Sequence, residues 1–117
     1  MLPTAHRLTR KIEFDTVKQK GELHSSDSFS ISIYKRKDTG PSRFGFIIST
    51  KISPHATVRN KAKRALREGV RRNLTYVKVG YDCVFLAKPI IVKKYTDALI
   101  REVGEATALA LSEHYAD

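Results

Sequence analysis

Hydrophobic and polar positions change period several times along the chain, and each change marks an element. Residues 29–34, FSISIY, alternate, with Phe29, Ile31 and Ile33 facing one way and Ser30, Ser32 and Tyr34 the other. A period of two predicts a strand with one covered and one open face. RFGFIIS (43–49) predicts a second strand with Phe44, Phe46 and Ile48 on one side. Gly45, on its other side, leaves room for something to come close to the backbone. Between them KRKDTGPS (35–42), with Asp, Gly and Pro, reads as a hairpin loop. YDCVFLA (81–87) is nearly all apolar, as expected of a central strand buried on both faces. A glycine turn in VKVGYD precedes it and Pro89 ends it.

Three other stretches follow a helical period. Thr9 can cap a helix running to about Lys20, with Ile12 and Val17 on its inner stripe and Gly21 closing it. From Thr96 to about His114, Leu99, Val103, Ala106 and Ala110 recur at helical spacing. The third stretch, HATVRNKAKRALREGVRRNL (55–74), follows a break at Ser53-Pro54. With Arg59 at zero and about 100° per residue, Asn60, Lys63, Arg64, Arg67 and Arg71 fall between zero and about 140°. Val58, Ala62, Ala65 and Leu66 gather near 240 to 340°, with Val70 at the border. The pattern therefore gives helix, two or more strands, helix, strand, helix, an α+β domain of packed layers.

Charge changes this picture most in the 55–74 helix. The 117 residues carry a net +10 with 41% hydrophobic residues, which suits one folded domain spanning 1–117. Residues 57–80 hold eight basic side chains and only Glu68 against them, whereas residues 81–117 hold four basic and six acidic. The default reading of a charge run is a solvated face. A solvating helix, however, mixes signs so that i,i+4 pairs offset repulsion. Here cations also crowd the first turn, where the helix dipole disfavours them. A one-signed face that accepts this cost points to a polyanion, and nucleic acid is favoured. A membrane is disfavoured because the opposite face is small and aliphatic, without a Trp, Phe or Leu wedge. A basic-zipper DNA reader would need leucine heptads after Leu74, and none follow.

Candidate protein chemistry is sparse. His6, His24, His55 and His114 have no ligand-like spacing with the single Cys83, which reads as a buried inert thiol. No phosphate-binding glycine loop is present, and the neighbours Glu13 and Asp15 point apart on a helix. MLPTAHRLTRK lacks the apolar core of a signal peptide, and no run of about 18 apolar residues occurs. The expectation is a cytoplasmic protein with no membrane partner and no small-molecule cofactor.

V-R-N-K-A-K-R-A-L-R-E (58–68), preceded by S-T-K-I (49–52), resembles the signature of the bacterial ribonuclease P protein subunit. LPTAHRLTRKIEFDTVKQKG (2–21) is similar to that family's basic arm and Phe-bearing first helix, and GYDCVFLAK (80–88) to its last strand. The resemblance implies a sheet of about four strands packed with helices in two layers, in the order α-β-β-β-α-β-α. It also implies a left-handed βαβ crossover around the basic helix, against the roughly 98% right-handed preference. It implies a subunit that helps a catalytic RNA remove the 5′ leader of precursor tRNA, with Mg²⁺ held mainly by the RNA subunit and substrate. The protein would contribute no catalytic residue and no metal ligand.

Carried over by position, Arg59, Asn60, Lys61, Lys63, Arg64, Arg67 and Arg71 would dock on ribonuclease P RNA. Phe14 would stack on the single-stranded leader, with Arg7, Lys18, Ser30, Ser32, Tyr34 and Lys88 lining the rest of its cleft. The family's central Arg-Asn-Arg is Arg59-Asn60-Lys61 here, which removes one planar fork. Lys18 stands where the family often has a second aromatic, Tyr34 lies two residues beyond the aligned cleft position at Ser32, and SPHAT is one residue longer than usual. The competing reading is a non-catalytic ribosomal or translation-factor-like RNA-binding domain. A stand-alone protein nuclease lacks an active-site cluster.

Overall fold

A computed structural model describes residues 2–111. Its elements are α1 (Lys11–Lys20), β1 (Glu22–Ser25), β2 (Phe29–Lys35), β3 (Arg43–Ile47), α2 (Ala56–Arg72), β4 (Tyr81–Ala87) and α3 (Thr96–Leu111). Short 3-10 turns lie at Thr4–His6, Leu74–Tyr76 and Pro89–Lys93. The expected α-β-β-β-α-β-α order holds. The helical expectation at His114 and the Ala110 side chain fall outside what is described.

The strands form one sheet in the order β1-β2-β4-β3. β4 runs antiparallel to β2 and parallel to β3, so α2 is the crossover between the parallel pair. This corrects the reading of residues 35–42 as a hairpin loop. β4 is inserted between β2 and β3, because the most apolar strand gains most from neighbours on both edges. The 36–42 segment instead wraps the start of β4. The Arg36 amide donates to the Gly80 carbonyl at 2.8 Å, the Gly80 amide to the Gly40 carbonyl at 2.8 Å, and the Ser42 hydroxyl to the Lys78 carbonyl. Gly80 takes φ of 86° there, the left-handed conformation that favours glycine.

Alternation along β4 divides the interior. Tyr81, Cys83 and Phe85 join Phe29, Ile31, Ile33 and Phe44 beneath α2 and α3, in one large cluster completed by Ala62, Ala65, Leu66, Val70, Leu99 and Val103. Phe85 packs between Phe29 and Phe46, with ring centroids 5.2 Å from each. The small back of α2 permits close packing. A Cβ on Gly69 would lie 2.6 Å from that of Val103, so α2 and α3 approach to the limit set by glycine.

α1 lies across the opposite face. Val17 and Leu8 pack on Val84 there, with Phe14, Tyr34, Ile47 and Leu86 around them. The helix starts at Lys11, later than a Thr9 cap would place it, and Glu13 accepts the Arg10 amide at 3.1 Å. Ile12 is not on the inner stripe: it is 68% exposed, while Val17 is fully buried. The inner positions are Val17 and Phe14, which share one side at i and i+3.

One ionic network ties these parts together. The buried Asp82 carboxylate accepts from Arg36 Nη1 at 2.5 Å and from Arg43 Nε and Nη2 at 2.8 and 2.7 Å. Arg43 Nη1 then reaches Glu13 Oε2 of α1 at 2.6 Å. Removing the central carboxylate leaves two largely covered guanidinium groups without their shared anion. Asp82→Ala is therefore expected to lower unfolding stability by about 3 kcal/mol, measured by urea denaturation. Lys35→Ala, an exposed neighbour on β2, is expected to stay within about 0.5 kcal/mol.

Candidate RNA interface

The α2 face is set by which side its small residues bury. Ala62, Ala65, Leu66, Gly69 and Val70 are buried, so the outward arc is centred opposite them. Asn60, Lys61, Arg64, Arg67, Arg71 and Arg72 are exposed, and Lys63 is half-buried at the border. Arg59 lies at the same border, one turn before Lys63, and its Nη1 donates to the Ser53 carbonyl at 2.8 Å, fastening the entry to the helix. The first-turn cations, disfavoured by the dipole, thus include one that ties down the preceding loop.

Glu68 answers the end of the arc. It accepts from Arg71 Nε at 2.8 Å and Nη2 at 2.6 Å, and from Arg72 Nε at 2.8 Å. The two guanidinium groups, Arg71 foremost, hold its carboxyl at about 2. Arg71 is therefore a partly neutralised member of the set, whereas no ion pair within 4 Å is seen at Arg64 or Arg67 among the described residues. The Arg67 guanidinium lies 5.9 Å from the centre of the Phe46 ring, which orients it without neutralising it.

On the other side of the sheet, strand register sorts the second surface into rows. Leu23, Ser32, Val84 and Gly45 lie side by side across the four strands, and α1 covers the Ser32, Val84 and Gly45 part of this row, leaving Leu23 62% exposed. Ser32 is the clearest departure from the alternation reading. It is 3% exposed, with its hydroxyl donating to the Val17 carbonyl at 3.0 Å, so the open face expected there is closed by α1. Gly45 provides the room expected of it, and the occupant is Phe14. A Cβ at Gly45 would fall 2.3 Å from Phe14 Cε1. Phe14 is consequently half-buried, seated on the sheet rather than standing free.

The remaining residues fall on either side of that covered row. Ser25, Ser30, Leu86 and Ile47 form the next row, and Lys88 follows Leu86 along β4. Lys88 Nζ donates to Ser25 Oγ and the Ser26 carbonyl, both at 2.5 Å, which holds the amine at the β1–β2 turn. Tyr34 lies in the opposite row beside Asp82 and Arg43, in a cleft with Ile12, Thr16 and Lys37. Arg7 is bridged to Phe44 at the outer edge of β3, its Nε donating to the Leu2 carbonyl at 2.7 Å. Lys18 is exposed on α1. The structure thus groups Ser30 with Lys88, sets Tyr34 across α1 from them, and leaves Arg7 at a third border.

Two contributors escaped sequence reasoning. Leu86 and Ile47 supply an apolar floor beside Phe14, visible only once β4 is known to pair with both neighbours. The Glu13–Arg43–Asp82–Arg36 network joins residues too far apart in sequence for spacing to reveal. Its carboxylates are engaged by arginine, and among the described residues no group of three or more His, Cys, Asp or Glu could hold a metal ion. Burial pushes the Cys83 thiol well above its ordinary range, consistent with an inert core residue. No helix among the described residues is long and apolar enough to cross a membrane.

Comparisons with known proteins bear on the family and the fold. A family model described as Ribonuclease P matches residues 2–110. The Kocuria rhizophila ribonuclease P protein component is 35% identical over 112 residues, covering 95% of this chain and 96% of that protein. The Synechocystis sp. ribonuclease P protein component is 31% identical over 104 residues, covering 89% and 84%. In fold, the chain superposes on the Staphylococcus aureus RNase P protein with a TM-score of 0.80 at 23% identity, covering 89% of this chain and 93% of that one. The Thermotoga maritima RNase P protein gives 0.77 at 24% identity, covering 87% and 94%. With the match spanning nearly the whole described chain, this protein belongs to the ribonuclease P protein component family.

Proposed function

We propose that the chain, as a ribonuclease P protein component, works in the cytoplasm by docking α2 on the catalytic RNA while its α1 face holds the 5′ leader of precursor tRNA. The observation that carries this reading is the placement of two distinct surfaces on opposite sides of one sheet. α2 lies over one face and α1 over the other. A polyanion gripping the arc of Arg64 and Arg67 therefore leaves Phe14, Ser30, Leu86 and Lys88 accessible from the far side.

The chemistry assigned to the protein is binding and orientation. Lysine and arginine neutralise phosphates and displace condensed counterions, while Asn60 can both donate and accept toward a 2′-hydroxyl or base edge. Phe14 offers an apolar ring edge and face of limited exposure beside Leu86 and Ile47, suited to a base of any sequence. The resident carboxylates Glu13, Asp82 and Glu68 are each committed to arginines. We therefore assign Mg²⁺ mainly to the RNA subunit and substrate, where it would supply activation of water and stabilisation of the leaving oxygen.

Reconstitution with a bacterial ribonuclease P RNA is expected to accelerate cleavage of precursor tRNA at low Mg²⁺. Binding of ribosomal RNA with cleavage unchanged would instead favour the ribosomal or translation-factor-like alternative. If α2 neutralises about five phosphates, log K for catalytic-RNA binding should fall against log salt with a slope of about −3.5 to −4.5. A slope near zero would remove the phosphate-dominated surface. Arg64→Ala is expected to weaken catalytic-RNA docking more than leader binding. Phe14→Leu, which keeps apolar volume against Gly45, is expected to weaken binding of leader-bearing precursor by about fivefold and leave RNA docking unchanged. Equal losses in both assays for both variants would undo the division into two surfaces.

A further inference from the structure

The Pro89–Lys93 turn and Tyr95 form an exposed feature that neither surface above explains. Ile91 is buried in the main core and anchors the turn, which sends its neighbours outward. Ile90 is 46% exposed, Val92 42% and Tyr95 86%. Lys93 is also exposed, so an apolar run, two lysines and a tyrosine follow one another over a few residues. The backbone beneath them is fixed. The Ile91 amide donates to the Lys88 carbonyl at 3.0 Å, the Lys94 amide to Ile91 at 3.2 Å, and the Leu99 amide to the Tyr95 carbonyl at 3.0 Å. Tyr95 is thus presented from the residue just before α3 on a held backbone, with its ring in solvent.

The turn is continuous with the basic helix. Val58, Lys61 and Ala62 of α2 form one wall of a small cleft of about 50 Å³, with Val92 and Lys94 on the other. Lys61 brings positive charge to the α2 wall of this cleft, and the exposed Lys93 follows Val92 in the turn. Lys94 acts through space on the charge of Glu102, which accepts from Ser26 and Ser28. An exposed aromatic with flanking lysines, adjoining a cationic helix, matches what an unstacked base and its phosphates require.

We infer that the 89–95 turn is a second RNA contact, in which Tyr95 stacks on an unpaired base of the same ribonuclease P RNA that α2 docks on, while Lys61 and Lys93 hold the adjoining phosphates. The inference rests on the RNA-docking reading of α2. A lipid surface could also take exposed isoleucine, valine and tyrosine with lysines, but the patch adjoins a one-signed helix whose family partner is RNA.

The test uses the full chain with a bacterial ribonuclease P RNA. Tyr95→Ala is expected to weaken RNA binding by about 5- to 100-fold, with Tyr95→Phe restoring most of it. Lys93→Ala, which lies outside α2, should make the salt slope shallower by about 0.7 to 0.9. Since Tyr95 is exposed, its variants should melt with the wild type, and ultraviolet crosslinking should join Tyr95 to an unpaired nucleotide. Wild-type affinity and salt slope for these variants, with Arg64→Ala still weakened, would overturn the second contact and leave the α2 reading intact. Loss of binding to vesicles containing anionic lipid, with RNA binding unchanged, would likewise overturn it in favour of a membrane surface. If wild-type protein fails to bind the RNA at all, both readings fall together.

Discussion

The shared carboxylate of Asp82 is the interaction on which the arrangement depends. It lies at 6% side-chain exposure in the strand between β2 and β3, where an unpaired charge would cost several kcal/mol. Arg36, just past the end of β2, and Arg43 of β3 approach it from either side, so the contact locks β4 into place from both sides. Because Arg43 also reaches Glu13, the same contact sets where α1 begins on the sheet. The position of Phe14 on Gly45 follows directly, one residue along the helix. A charge network at one end of the sheet therefore determines which sheet residues are covered and which stay open.

A second fastening operates at the opposite corner. Glu102 of α3 accepts from the hydroxyls of Ser26 and Ser28 at 2.5 and 2.6 Å and from the Ser28 amide at 2.8 Å. Burial works against its charge, but these donors outweigh that effect and hold the carboxyl below its ordinary range. The β1–β2 turn is thus bound to α3 on one side and to Lys88 on the other. On α2, by contrast, Arg64 and Arg67 show no ion pair within 4 Å among the described residues.

Sequence made the local elements legible where one period runs long enough to dominate. The 17 residues of α2 bury the small residues that the projection gathers, with Val70 falling on the inner side of its border. β4 was legible as a central strand because every residue from Tyr81 to Phe85 is buried. Pairing was not legible. The Asp-Gly-Pro content of residues 35–42 announces a turn but cannot say that another strand will enter between the segments it joins. Ser32 failed for a related reason: a serine on an alternating strand looks open, yet its hydroxyl is satisfied by a helix carbonyl 15 residues away. For the candidate site, the α2 cations were legible from one-sided charge, whereas Leu86 and Ile47 required the register of three strands.

The insertion of β4 has a consequence in time. This strand is the last of the four in the chain, yet it holds the two halves of the sheet together. During synthesis β1 and β2 can pair with each other, but β3 has no edge to join until residues 81–87 have emerged. α2, which precedes β4, must meanwhile wait with its apolar back uncovered and its cations already available to any polyanion nearby. Such long-range closure slows folding relative to local pairing. The chain is thus most strongly charged, and least able to shield its core, during the interval before its final strand arrives.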